Sequence, residues 1–427
     1  MNPARLFTIV SLGFGLALIA LTPPFCTPDE PAHLYRAWST SKGTFVIRGG
    51  AAVPRTLVES ARTMLRMTRG AETAPVTWRA LRALARTPLR ADDAVFIATV
   101  PDAAREPLAY TAPNYTPIGY VATAPAVALG ALAGLAPILL VYAARVANLL
   151  VATAIIGWAI SIAPFGRWTL TLIALTPMAV FMRGALSIDA LTMAFAIALF
   201  VAILRAKPGA VIVMSFLLCA IKPGYALMPL LALAVPKLRA RRGAMIAMFV
   251  AIIAGIAMTI AFARDASVTT DASSRGIGVL HQPVGYATAL AGEARRDAKL
   301  LVVELVADFG WLDAPAPFAF ALLWLCGVIA MALIDGRWLL SARARVWSLL
   351  LFAAQVAALF TLIHLSTPGD RFLTGLQGRY FLPTLPLAFL PLAATASIEA
   401  VKKRGAVFLI AIAIVQSLWV VTTRYWI

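Results

Sequence analysis

Four short stretches place ionisable side chains at the edges of apolar sequence. The first is Pro23-Pro-Phe-Cys-Thr-Pro28-Asp29-Glu30-Pro31-Ala-His33-Leu-Tyr35-Arg36, with two adjacent carboxylates and an imidazole behind an apolar run. Prolines on both sides stiffen the turn. Carboxylates beside a membrane boundary are costly unless solvated, paired or functional. A helix starting at Pro31 puts Asp29, Glu30 and His33 within one turn, where they suit proton transfer or one hard divalent cation such as Mg or Mn. The same start also suits simple capping, with Asp29 as the cap, Glu30 against the helix dipole and His33 a packed core histidine.

The second stretch is Gly184-Ala-Leu-Ser187-Ile-Asp189-Ala-Leu-Thr192, where Asp189 opens an apolar run, six residues after Arg183. Asp189 is either a helix cap or a functional acid partnered by Arg183. The third is Lys222-Pro223-Gly224-Tyr225 between two short apolar runs, a snorkelling anchor or a phosphate grip. The fourth is Gly375-Leu-Gln377-Gly378-Arg379-Tyr380-Phe-Leu-Pro383. Weaker signals are Asn114-Tyr115, Arg145 with Asn148 inside an apolar run, and Phe309-Gly310-Trp311-Leu-Asp313. No GxxxxGK[ST], GxGxxG or HExxH pattern occurs, and three histidines do not suffice for a His-rich metal site.

The elements that must position these residues are membrane helices. Of the 427 residues, 61% are hydrophobic and 13% charged, against roughly 45–50% and 25% in soluble domains. That composition excludes a soluble enzyme, a disordered chain and a disulfide scaffold. The apolar runs are continuous, which excludes a transmembrane barrel. The net charge of +18 does not call for nucleic acid, because cytoplasmic loops collect Lys and Arg. Part of the excess suits a phosphate-bearing lipid. The three cysteines set no framework.

About eleven spans are expected: 6–22, 139–163, 168–185, 189–205, 208–222, 224–236, 243–263, 317–334, 346–364, 380–397 and 406–424. The stretch 23–116 is a long Arg-rich outer loop, and 54–70 within it reads as a basic amphipathic helix lying on the membrane surface. The stretch 117–137 is apolar enough to cross, but crossing would put the basic runs at 237–242 and 402–404 outside. It is therefore placed as a non-crossing outer helix. The cytoplasmic side then holds 14 cations against Asp335 and Glu399 alone. Loops 264–316 and 365–379 lie outside, and Arg379 stands at the outer boundary of a short loop, against the positive-inside habit. A bound phosphate is a good reason for such a cation.

Together these residues resemble the DUF2142 family of bacterial polytopic membrane proteins, grouped with the GT-C superfamily of membrane glycosyltransferases. The resemblance is carried by Pro28-Asp29-Glu30-Pro31-Ala-His33, Asn114-Tyr115-x-Pro117, Arg145-x-x-Asn148, Pro177-Met178, Ser187-Ile-Asp189-Ala-Leu, Lys222-Pro223, Gly310-Trp311-Leu312-Asp313 and Gln377-Gly-Arg379-Tyr380, in order over nearly the whole chain. It implies an all-α GT-C-like bundle with extracytoplasmic juxtamembrane helices, a catalytic module over 1–236 and a variable membrane module over 237–427. It also implies a bacterial inner-membrane enzyme that takes a sugar from a polyprenyl-phosphate donor to a cell-envelope glycan or lipid, outside the cytoplasm. On that reading Asp29, Glu30 and Asp189 are catalytic, with Asp29 the general base. His33, Arg36, Asn114, Tyr115, Arg183, Lys222, Gln377, Arg379 and Tyr380 bind substrate. A lipid-linked-sugar flippase is the alternative; it would need charges through the middle of the bilayer, where Arg145 is the main one.

Overall fold

The computed structural model describes residues 2–69, 75–98, 112, 115–263, 279, 281–366 and 375–427. Asn114, and parts of the loops 264–316 and 365–379, lie outside the described residues. Helix α1 (Pro3–Leu21) starts at Asn2, whose side chain accepts from Arg5 N at 2.8 Å. An outer layer follows: α2 (Glu30–Ser41), β1 (Gly50–Pro54), α3 (Arg55–Arg69), α4 (Trp78–Ala85), β2 (Ala94–Ala98), a 3-10 turn at Pro117–Tyr120 and α5 (Thr123–Leu132). Strands β1 and β2 pair antiparallel, Gly50 opposite Ala98.

The bundle continues with α6 (Pro137–Ile162), α7 (Arg167–Ala174), α8 (Pro177–Arg183), α9 (Asp189–Leu204) and α10 (Pro208–Ile221). After 3-10 turns over Pro223–Tyr225 and Met228–Ala234 come α11 (Pro236–Arg239), α12 (Arg242–Ala263) and α13 (Pro283–Val306). The small strands β3 (Asp308–Phe309) and β4 (Ala314–Pro315) lead into α14 (Phe318–Ile334) and α15 (Ala342–Ser366). A 3-10 segment at Gly378–Thr384, α16 (Leu385–Phe389), a 3-10 turn at Leu390–Leu392 and α17 (Glu399–Tyr425) complete the described chain.

Among the described residues, five helices are long and apolar enough to cross a membrane: α1, α6, α12, α15 and α17. The fold is an all-α membrane bundle, but several expected spans are not single helices. The run 168–185 is two helices, because Pro177 lacks the N–H that would continue α7. The run 224–236 is largely 3-10, with Pro229 inside it, and 380–397 breaks into 3-10 turns and a five-residue helix around Pro383, Pro386 and Pro391. The expected loop 264–316 contains the 24-residue helix α13.

Contacts sort the loops into two ends. At one, Trp168 Nε1 donates to Glu399 (2.6 Å), Thr169 N donates to Asp335 (2.8 Å) and Arg205 Nη1 to the Ile162 carbonyl (2.9 Å). At the other, His33 bonds Tyr120, Arg145 bonds Glu30 and Lys222 pairs with Asp189. The stretch 117–137 begins and ends at this second end. Helix α5 has ten residues, about 15 Å at 1.5 Å per residue, half the ~30 Å hydrocarbon core.

Helix α3 corrects the surface-lying expectation for 54–70. Its apolar face, with Leu57, Ala61, Met64 and Leu65, is buried within the protein. That face is not free to enter lipid, and the arginines point outward.

Candidate functional site

The site begins with the turn after α1. Asp29 adopts a left-handed backbone, φ 58°, and its side chain makes no capping bond. Aspartate tolerates this region better than most residues, at some cost. The turn leaves the Asp29 carboxylate half exposed (50%) while Glu30, its neighbour, is fully buried (0%).

Glu30 is locked into the scaffold. Arg145 of α6 meets it with both fork nitrogens, Nε to Oε1 at 2.7 Å and Nη2 to Oε2 at 2.6 Å. The remaining donors of Arg145 go to the carbonyls of Thr22 (2.6 Å) and Pro23 (3.0 Å). Glu30 Oε1 also accepts Leu186 N at 3.3 Å. One turn further along α6, Asn148 Nδ2 donates to the carbonyls of Ala185 and Ser187 at 2.8 and 2.7 Å. Arg145 and Asn148 thus clamp the Asp29 turn to the Asp189 loop. Both Glu30 oxygens are buried and engaged by the scaffold, which argues against its assignment as a catalytic acid.

Four charged side chains meet in front of that clamp. Lys222 Nζ pairs with Asp189 Oδ1. Arg379 places Nη2 3.8 Å from Asp29 Oδ2 and Nε 3.9 Å from Asp189 Oδ2. Both distances exceed a hydrogen bond. The Arg379 side chain is only 4% exposed. Its Nη1 reaches the weak acceptor Met182 Sδ at 3.4 Å, and its Nε has no hydrogen-bond partner among the described residues. Tyr380 lies under both cations, 4.9 Å from Lys222 Nζ and 5.5 Å from the Arg379 guanidinium. Tyr225 donates to the Tyr380 carbonyl at 2.8 Å and fixes that residue.

His33 stands beside this group. Its Nδ1 and the Tyr120 hydroxyl are 2.7 Å apart, and its ring stacks on Tyr115 at 5.6 Å. Burial lowers its pKa to about 4, against the pull of Asp29 and Asp189. At neutral pH it is an uncharged hydrogen-bonding group.

Sequence reasoning missed Glu304, although a lone acid in Leu-Val-Val-Glu-Leu-Val was a usable signal. Its buried Oε2 accepts Gly378 N at 2.6 Å, one residue before Arg379. Burial raises the Glu304 pKa, and the Gly378 bond and Arg379 oppose the rise. Gly378 lies directly against the α13 backbone at Leu301 and Leu305, with no room for a Cβ. Asp308 is also buried; desolvation, helped by Glu304, raises its pKa to about 7.

Other expectations are corrected. Arg36 donates to the carbonyls of Tyr115 (3.0 Å), Thr44 (3.3 Å) and Phe45 (2.7 Å), so it holds loops rather than substrate. Arg183 does not partner Asp189. It turns into the bundle, donates to the Ala174 carbonyl at 2.7 Å and lies 5.3 Å from the Phe7 ring. Gln377 keeps a buried Oε1 without a partner among the described residues. Asp29, Glu30 and His33 face three different neighbours, and no group of three His, Cys, Asp or Glu side chains among the described residues is placed to hold a metal. The expected modules 1–236 and 237–427 share the site, since Arg379 and Glu304 approach Asp29 and Asp189 from the second.

Fold and site together define an integral membrane protein with a charged, partly buried polar centre at one end of its helical bundle. The chain belongs to the DUF2142 family, described as predicted membrane proteins, whose model matches residues 12–388. No curated protein and no solved structure matches it significantly.

Proposed function

We propose that this protein is a membrane glycosyltransferase of GT-C type. It moves a sugar from a polyprenyl-phosphate donor to a hydroxyl of a cell-envelope glycan or lipid, on the extracytoplasmic face of the bacterial inner membrane. The observation that carries this reading is Arg379: a buried guanidinium between two carboxylates, hydrogen-bonded to neither, with Nε unengaged. Such a group favours a further anionic partner, because a buried donor that makes no hydrogen bond is costly and its two counter-charges stand too far off to accept one.

In the proposed reaction the acceptor oxygen attacks the anomeric carbon while Asp29, the exposed carboxylate, takes its proton. The bond from the anomeric carbon to the phosphate oxygen breaks, and the electron pair leaves with polyprenyl phosphate. Arg379 and Lys222 balance the charge growing on that oxygen, an interaction that strengthens in the transition state. Asp189 holds both cations in place. Neutral His33 and Tyr115 offer a hydrogen-bonding, stacking surface for a sugar ring. The engagement of Arg145 by Glu30 and two carbonyls favours transfer over flipping, because it removes the main intramembrane charge from any path.

The test uses the full chain in proteoliposomes with radiolabelled polyprenyl-phosphate sugars and envelope extract, measuring released polyprenyl phosphate. Wild type should release it with acceptor present, and Asp29→Asn should abolish release while leaving the protein folded. No release by wild type with any donor and acceptor, together with movement of the lipid-linked sugar between leaflets, would turn the reading to a flippase. Activity of Asp29→Asn within tenfold of wild type would remove Asp29 as base.

A further inference from the structure

At the end of the bundle opposite Asp29, α6, α9 and α10 leave a groove of about 480 Å³. That is within the ~300–1,000 Å³ typical of small-molecule sites. Its wall is apolar: Ala198 and Ala202 on α9, Trp158 on α6 and Met214 on α10. Arg205 and Lys207 are the charged residues that line it, and both are exposed.

The local sequence forces both cations onto the rim. Helix α9 ends at Leu204, Ala206 takes a left-handed φ of 50°, and Pro208 begins α10. Lys207 N bonds back to the Ala202 carbonyl at 3.0 Å, closing a tight turn. Arg205 Nη1 caps the end of α6 through the Ile162 carbonyl at 2.9 Å, which holds the guanidinium beside the groove. The acids at this end are committed elsewhere: Asp335 accepts from Thr169 and lies 3.7 Å from Lys402 Nζ, and Glu399 pairs with Lys402 at 2.9 Å. Trp158, 55% exposed, borders the groove as interfacial tryptophans do.

We propose that this groove binds an anionic phospholipid, its headgroup phosphate between Arg205 and Lys207 and an acyl chain along Ala198 and Ala202. A groove that is apolar along its wall and cationic at one rim matches an amphiphile with one anionic end. A free phosphate would engage the cationic rim alone and make no use of the apolar wall. A zwitterionic lipid would bring its own cation to a rim already carrying two. Each cation near an anionic headgroup is expected to strengthen binding roughly fivefold.

The experiment is a titration of the delipidated full chain in neutral detergent, read by native mass spectrometry, with phosphatidylglycerol, phosphatidylcholine or glycerol 3-phosphate as probes. Phosphatidylglycerol should bind wild type at least fivefold more tightly than phosphatidylcholine. Lys207→Gln, an exposed change that spares the Arg205 cap, should cost phosphatidylglycerol about fivefold and phosphatidylcholine nothing. Lys207→Arg should restore the loss, and Met214→Trp, which fills the wall, should weaken both lipids. Equal binding of the two lipids by wild type overturns the proposal. So does phosphatidylglycerol binding unchanged in both Lys207→Gln and Met214→Trp. Glycerol 3-phosphate binding as tightly as phosphatidylglycerol would make it a free-phosphate site and overturn the lipid assignment.

Discussion

Glu30→Gln separates scaffold from chemistry at the Asp29 turn. The Glu30 and Arg145 side chains are both 0% exposed. Arg145 makes four hydrogen bonds, two of them to Glu30. A glutamine keeps one acceptor oxygen but turns an NH2 group toward the other fork nitrogen, and the guanidinium loses its counter-charge. Removing one partner of a buried pair costs about 3–5 kcal/mol. The two carbonyl bonds and the retained oxygen favour the lower end, about 3 kcal/mol, or roughly a hundredfold in the folding equilibrium. The assay is reversible unfolding in mixed micelles by SDS titration. Asp29→Asn, at a half-exposed position that asparagine tolerates, should shift stability by less than ~0.5 kcal/mol. The double change Glu30→Leu with Arg145→Met should recover much of the loss, because apolar replacement of a buried pair is often neutral. Wild-type stability in Glu30→Gln combined with lost transfer would refute the scaffold role.

Arg379→Ala should slow transfer by about 30- to 1000-fold, corresponding to ~2–4 kcal/mol for a lost charge-assisted contact in a dry site. Arg379→Lys should recover only part, since lysine lacks the planar fork; single-turnover rates measure both. Gly378→Ala should cost ~1–3 kcal/mol of stability, because the new methyl meets the α13 backbone rather than a movable side chain, and SDS titration reads the loss. With the Asp308 pKa raised from 3.8 to about 7, the folded state holds more protons between these values. Stability should therefore fall as pH rises from about 4 through 7. Asp308→Asn should flatten that slope, with the gain over wild type largest at pH 8, measured by thermal unfolding across pH.

The side chains that gather at the site each broke an expectation in the sequence. Asp29 and Asp189 are acids at apolar edges, and Arg379 is a cation on the side that short loops keep free of cations. Local sequence does not carry their meeting. Arg379 reaches Asp189 from 190 residues away and Asp29 from 350. Glu30 looked equal to Asp29 because adjacent residues share a neighbourhood in the chain. Only the fold sends one outward and the other to Arg145, 115 residues on. Apolar composition marks membrane depth, but it does not distinguish one helix from several pieces. Pro177, Pro229 and Pro383 were the visible breaks inside otherwise uniform runs. Glu304 stood out as a lone acid in an apolar run, but its partner is a backbone N–H, which has no signature in residue types.

The turn that presents Asp29 is tied down from far along the chain. Trp426 Nε1 donates to the Leu21 carbonyl at 2.7 Å across 405 residues, Tyr425 donates to the Cys26 carbonyl at 3.3 Å, and Arg424 donates to the Thr68 carbonyl at 2.9 Å. During synthesis the first helix and its turn emerge long before those residues exist. For most of translation the segment around Asp29 lacks its latch, and its carboxylate has no Arg379 beside it. The polar centre can therefore close only after Arg379 has been made and inserted, and its latch only after residues 424–426. A chain cut short before residue 379 would carry Asp29 and Asp189 without the guanidinium between them, so it could not assemble this centre.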